Sequence, residues 1–391
     1  MTSSLSPPSR QPAPDPSTAA ARRLLFVSSV VEGGSGRSQR ELAAALRDGG
    51  RQVRFLVDAG DAATRRRWLL SEFTDAAVRF QGRPDGRPVD GVRRRLGARV
   101  RVRDIDGIPH ESTIAPENAF EQSVRRWRPD VVVVSSIHRF TWRRVRAVCR
   151  ARSIPTVLYL REAPAIGHLT AGLFPDLVIA NSATLIDDAA RLGHDAAFVP
   201  SVVRIAPMDR PPSRDVLLLV NPLRSHGLHV VGPLAAARPD IPIVLQESWS
   251  LSGADRREVE RLVDAHPNVG FRAFEPRPGM VFRDARLLLA PHQVDNRPRT
   301  VLEAQDNGVP VVASAFPGLQ EAVGPGGILV PHDAGVEGWI RAVGSVWDDE
   351  SHWMTVSERA RMHAARPEVR PSVVAAAFAT LVDDLVQRAA D

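Results

Sequence analysis

At 391 residues the chain can bury one large or two ordinary cores, and two is the better expectation. Hydrophobic residues at 43% and charged residues at 25% are the proportions of a globular protein, not of a bilayer-spanning or fully disordered chain. The net charge of +6 comes from 51 basic residues, all arginine. With aromatics at 5% and no basic-aromatic interleaving, that charge does not make a nucleic-acid platform.

Arginine without lysine, together with heavy Ala and Pro usage, suits a high-GC, actinobacterial coding sequence. Cys149 is the single cysteine, so no intrachain disulfide is possible and a cytoplasmic setting is expected. No apolar run approaches the ~20 residues of a membrane-spanning helix. Residues 1–22 are rich in Pro, Ser and Ala without an apolar signal-peptide core, and read as a disordered lead.

The first strand is expected over Leu24–Ser28, followed by a glycine loop (Gly33, Gly34, Gly36), a helix ending at Gly49-Gly50, and a strand over Val53–Val57. Together they make one right-handed βαβ unit. Gly36 is followed by Arg37-Ser38-Gln39, so the dinucleotide-binding fingerprint is only partial. From Asp61 to Arg128 the pattern is less legible, with WLLSEF as a helix fragment and basic runs at Arg65–Arg67 and Arg93–Arg95. ARVRVRDIDGIPHEST alternates like a hairpin turning at Asp106-Gly107. That turn also explains the D-x-D of Asp104 and Asp106 better than metal chelation, so no metal site is expected.

PDVVVVSS, PTVLYL and DLVIA are apolar runs typical of buried parallel strands. His138, Arg161, Glu162, Asn181 and Ser182 then lie beyond strand ends, on the ligand-bearing edge of such a sheet. His138 suits a sugar hydroxyl or a structural hydrogen bond. Arg161 and Glu162 suit an acceptor contact or each other. Pro200, Pro207, Pro211 and Pro212 mark a domain boundary. The second half opens with a strand at Val216–Val220 and the loop NPLRSHG, then IPIVLQES, a helix over Ala254–Ala265, and NVGFRAFEP.

The stretch from Arg283 to Ser314 reads as a buried strand (Arg286–Ala290), a polar loop, a helix opening near Pro298, and a strand from Val309 to Val312. The loop carries Asp295, Asn296, Arg297 and Arg299, and Glu303 lies one turn into the helix. Unpaired amides and the helix dipole favour an anion there, and the Glu303 carboxylate can accept two hydrogen bonds from a sugar diol. Helices are expected in VEGWIRAVGSVW, SHWMTVSERARMHAA and SVVAAAFATLVDDLVQRAA.

Asp295, seven intervening residues, Glu303-Ala304 and then Gly308, Pro310, Val311, Val312 and Ala313 resemble the E-x7-E signature of family-4 retaining glycosyltransferases. PGLQEAVGPGGILV, with Gly318 and Glu321, also resembles that family. The resemblance implies an α/β GT-B fold of two Rossmann-like domains facing a cleft. It divides the chain into an acceptor domain at 23–203 joined by a C-terminal helix at 370–391, a linker at 204–214, and a nucleotide-sugar domain at 215–369. Asp295 departs from the usual first Glu.

The loop position of the family's R-x4-K-G is occupied here by Asn221 and His226, which lack a fixed cation. Arg224, Arg297 and Arg299 become candidates for the diphosphate, and with Asp295 and His138 form the expected catalytic set. The resemblance also implies donor contacts from Gly34, Ser35, Asn296, Thr300 and Glu303, and from Arg272 and Phe274 in a segment similar to the family's base-binding strand. Arg161 stands where a family histidine is common.

The implied reaction moves a sugar from a nucleoside-diphosphate sugar, preferably UDP, to a hydroxyl with retention. It needs no metal or other cofactor. A small natural-product acceptor is favoured over a lipid or cell-envelope precursor, for which Arg65–Arg67 beside Trp68-Leu69-Leu70 could touch anionic headgroups. A nucleotide-sugar 2-epimerase of the same fold and a non-catalytic sugar-binding homologue are the rival readings. Nothing in the sequence sets the oligomeric state.

Overall fold

The computed structural model describes residues 21–29, 33–58, 100–113, 116–172, 174–204, 213–249, 251–275 and 277–391. Residues 1–20 of the disordered lead expected at the N-terminus, the basic runs at 65–67 and 93–95, WLLSEF, and Pro207, Pro211 and Pro212 all lie outside the described residues.

The N-terminal half builds an eight-stranded sheet from β1 (Arg23–Ser28), β2 (Gln52–Asp58), β3 (Arg101–Ile105), β4 (Ile108–Thr113), β5 (Val131–Ser135), β6 (Thr156–Leu160), β7 (Leu177–Ala180) and β8 (Ala196–Phe198). Its order is β3-β4-β2-β1-β5-β6-β7-β8, parallel except where β3 pairs antiparallel with β4. The helices are α1 (Gly33–Asp48), α2 (Pro116–Trp127), α3 (Arg139–Arg150) and α4 (Ala183–Arg191).

Period-two patterning in these strands feeds two cores, one on each face. In β1, Leu24 and Phe26 join α1 on one face. Leu25 and Val27 join α2 and α3 on the other. The β3–β4 hairpin turns on two residues, with Ile105 opposite Ile108 and positive φ at Asp106 (56°) and Gly107 (74°). That is the backbone an Asp-Gly type I′ turn supplies.

The second half builds a six-stranded parallel sheet from β9 (Val216–Val220), β10 (Ile243–Gln246), β11 (Val269–Arg272), β12 (Ala285–Ala290), β13 (Val311–Ser314) and β14 (Gly327–Val330), in the order β11-β10-β9-β12-β13-β14. Its helices are α5 (Val231–Ala237), α6 (Gly253–Ala265), α7 (Pro278–Val281), α8 (Arg299–Asp306), α9 (Pro317–Val323), α10 (Gly335–Trp347) and α11 (Glu350–Ala364). A final helix, α12 (Pro371–Ala390), packs back on the first half, where Phe378 stacks on Phe26 at 6.2 Å between ring centres. Each sheet therefore has one point where strand order reverses: between β1 and β5, and between β9 and β12. Ligands of such sheets bind beyond the strand ends at that point.

Candidate functional site in the cleft between the sheets

The loop after β9 starts at Asn221, which is buried with φ of 59°. Asn is among the few non-glycine residues that tolerate this conformation. Its Oδ1 accepts from the Ser248 hydroxyl beyond β10, and its carbonyl contacts His226 Nδ1 at 3.2 Å. Beyond β12 comes His292, whose ring stacks on His226 at 4.5 Å and 10°. Its Nδ1 lies 2.8 Å from Asn296 Oδ1, so a protonated Nδ1 donates to that amide oxygen. Burial, reinforced by neighbouring His226, pulls His292 down to about 4, and burial likewise lowers His226. The switch point of the second sheet is thus capped by two neutral imidazoles, with Trp249 edge-on to His226 at 5.8 Å. Gly227 permits this closeness, because a Cβ there would lie 2.1 Å from the Pro291 carbonyl oxygen.

The loop from Asp295 to Pro298 is fixed at both ends. Asp295 Oδ1 accepts from Gly318 N at 2.8 Å, and the Arg297 guanidinium meets Glu321 at 3.0 Å and lies over the Phe198 ring of the other sheet. Glu321 in turn accepts from Ala183 N, at the start of α4, at 3.1 Å. At the head of α8, Arg299 Nε donates to Glu303 at 3.0 Å, while its Nη2 reaches Glu41 of α1 at 3.0 and 3.1 Å. Burial alone would lower the Arg299 pKa, but Glu303 and Glu41 outweigh it and the net shift is upward.

The first half presents Gly33, Gly34 and Ser35 to this loop. A Cβ on Gly33 would meet Trp249 at 3.1 Å, and one on Gly34 would meet the Arg299 side chain at 3.3 Å. Ser35 Oγ lies 3.4 Å from Ser136 Oγ, at the β1/β5 switch point. His138 is exposed and caps α3, accepting from Phe140 N at 3.4 Å. Arg161 does not pair with Glu162, which is exposed; its Nη2 donates to Ser201 Oγ at 3.1 Å and its guanidinium lies over Tyr159. Its Nε and Nη1 are buried without a hydrogen-bond partner among the described residues, and burial lowers its pKa.

Contacts thus link Gly34 to Arg299 and Glu303, and Asn221 through His226 and His292 to Asn296, with Asp295 holding the loop that carries Arg297. Ser35 meets Ser136, and Thr300 follows Arg299 in α8. Besides His138, Arg161 and Glu162, three further expected residues do not join these contacts. Arg224 is exposed in a 3-10 turn and makes no salt bridge with another described residue. Arg272 is engaged by Asp284 through two guanidinium nitrogens, one at 2.8 Å. Phe274 is 59% exposed. Asp104 and Asp106 sit in the outer hairpin, where Arg40 Nε donates to Asp106 at 3.0 Å. Among the described residues no group of three His, Cys, Asp or Glu could hold a metal ion, and no helix is long and apolar enough to cross a membrane.

Sequence reasoning did not single out Glu41, Arg37, Trp249 or His292. For the first two a signal existed: Arg37-x3-Glu41 repeats the spacing of Arg299-x3-Glu303.

The fold is that of the GT-B glycosyltransferases. Sucrose-phosphate synthase from Thermosynechococcus elongatus is similar at a TM-score of 0.73 and 15% identity, over 94% of this chain and 100% of that one. Anabaena HepE in complex with UDP-glucose is similar at 0.68 and 16%, over 93% and 99%. In sequence, residues 219–349 match the family Glycosyl transferases group 1. A D-inositol 3-phosphate glycosyltransferase of Corynebacterium urealyticum is 31% identical over 157 residues, 37% of each chain. The similarity thus spans little more than a third of that relative's length. Its counterpart from Corynebacterium jeikeium is 32% identical over 150 residues, 36% of this chain and 35% of that one.

Proposed function

We propose that this chain is a retaining, family-4 type glycosyltransferase that moves a sugar from a nucleoside-diphosphate sugar, preferentially UDP-linked, to a hydroxyl of a small acceptor. The observation that carries the reading is Glu303. Its carboxylate lies one turn inside α8, at the switch point of the second sheet, with Oε1 3.8 Å from Arg37 Nη1 of the first domain. The acceptor would enter by the β1/β5 switch point, beside Ser35, Ser136 and His138. Among small acceptors a cyclitol or similar polyol is favoured, because the relatives named above carry an inositol phosphate in their name.

Transfer builds negative charge on the departing phosphate. The first-turn amides of α8 and the Arg297 and Arg299 guanidiniums supply fixed donors and charge there. No metal is required by this scheme. Arg297 and Arg299 are held by carboxylates in the free protein, so the diphosphate must compete with Glu321 and Glu41 for them. Asp295, tied to Gly318 N, holds the loop that aims both arginines. Closing two domains on the cleft excludes water that would hydrolyse the donor.

Incubation with UDP-, GDP- and dTDP-sugars, with and without a panel of cyclitol and aglycone acceptors, tests the reading. Expected is a glycosylated acceptor with the donor's anomeric configuration. Glu303→Gln should weaken UDP binding by about 1 to 3 kcal/mol, the scale of a lost charged hydrogen-bond partner. Unchanged UDP affinity in that variant refutes the ribose role. Isomerised donor without transfer would make the chain an epimerase, and binding without turnover a sugar-binding protein.

A further inference from the structure

Helices α1 and α8 come from different domains, yet each carries an arginine four residues before a glutamate and turns that pair toward the other. Within α1, Arg37 Nε donates to Glu41 Oε1 at 2.9 Å. Within α8, Arg299 Nε donates to Glu303 Oε1 at 3.0 Å. Across the cleft, Arg299 Nη2 reaches both Glu41 oxygens, and Arg37 Nη1 lies 3.8 Å from Glu303 Oε1. The four charges alternate around a closed ring, and three of the side chains are almost fully buried: Arg299 is 6%, Glu303 10% and Glu41 11% exposed. Glu41 Oε2 also accepts from Arg204 N at 2.8 Å, where the chain leaves the first domain.

We infer that this ring is a domain latch, in which Arg37 and Glu41 act from the opposite domain as positioning residues for Arg299 and Glu303. Each charge has a partner within its own helix, and it gains a second, opposite partner across the cleft only when the cleft is shut. Removing one member then leaves a buried charge under-paired. The default for two domains joined by a small, polar interface is relative motion. The ring shifts that balance toward closure in the free protein. It also fixes one oxygen of Glu303 with two guanidiniums, so that closure and the orientation of the donor-binding carboxylate become one event. On opening, Arg299 keeps Glu303 within its own helix and releases Glu41.

The assignment of Glu303 to donor binding rests on the function proposed above, but the latch itself does not. Small-angle scattering of the free full-length protein therefore tests it without donor or activity. Exchanging the α1 pair, Arg37→Glu with Glu41→Arg, keeps the contact within the helix and makes both contacts across the cleft repulsive. The radius of gyration should increase. Adding the exchange on α8, Arg299→Glu with Glu303→Arg, should return it to the wild-type value. Between about 0.01 M and about 1 M salt the wild type should change little, because pairs buried to this degree are screened far less than exposed ones.

The milder Glu41→Gln serves if the exchanged protein loses its far-UV circular dichroism. It should enlarge the radius of gyration and weaken UDP binding by about tenfold, or ~1.4 kcal/mol. A folded α1 exchange variant, or Glu41→Gln, with wild-type dimensions at both salt concentrations overturns the latch. Expansion as expected in a protein without transferase activity would sustain the latch and remove the proposed function.

Discussion

His292 and His226 occupy the switch point of the second sheet, where a diphosphate site would ordinarily present fixed cations. Both imidazoles are held neutral by burial, and in His292 the second ring adds to the effect. The consequence for stability has a definite sign. A base whose folded value lies near 4, against 6.5 unfolded, binds protons more readily when unfolded. Its contribution is intact above pH 6.5 and is lost progressively as pH falls toward 4. The maximum loss is about 3 kcal/mol, since each tenfold difference in proton affinity between the folded and unfolded chain is worth roughly 1.36 kcal/mol. Urea unfolding midpoints across that range should fall more steeply in wild type than in His292→Gln. Parallel curves would mean that His292 is not the group being titrated.

At the scale of elements, the candidate site depends on how closely the loop after β12 meets the start of α9. A Cβ on Gly318 would lie 2.7 Å from the Asn296 carbonyl oxygen and 2.8 Å from Asp295 Oδ1. Both contacts are on the loop that aims Arg297 and Arg299, and one is to backbone that cannot move alone. Gly318→Ala should cost about 1 to 3 kcal/mol of stability by overpacking. It should also lower transfer by more than about tenfold, since each ~1.4 kcal/mol of lost transition-state stabilisation is a decade. Thermal melts and initial rates on one preparation check both. Full activity would show that the loop tolerates displacement.

For the whole molecule, the last helix ties the end of the chain to its beginning. Phe378 is fully buried between Phe26 of β1 and Tyr159 of β6. Arg51, just before β2, also pairs with Asp383 of α12. The core of the first domain is therefore complete only after the second domain has been made. Phe378→Ala should destabilise that domain by about 3 to 5 kcal/mol, the cost of an aromatic cavity. It should separate the unfolding of the two domains, so that denaturant curves followed by circular dichroism become biphasic. A single transition at the wild-type midpoint would contradict the packing role of α12.

The sequence by itself determined the order and nature of most long elements, though not α2 (Pro116–Trp127), which lies in the stretch that was less legible. β9 begins and ends where its apolar run does, and the Asp106-Gly107 hairpin and the α8 start after Pro298 follow from turn and helix-start chemistry. Local periodicity and backbone restriction act over a few residues, so a few residues suffice to read them. The short edge strands β8 and β14 were not marked out, because three or four residues carry too little pattern. Nor could the sequence say that Arg297 and Arg299, two of the arginines expected at the diphosphate, would be claimed by carboxylates. A guanidinium on a flexible stem pairs with whatever acid the fold brings within reach. For Arg299 that acid is Glu303 four residues away and Glu41, 258 positions distant, and only the closing of two sheets on one cleft decided the second.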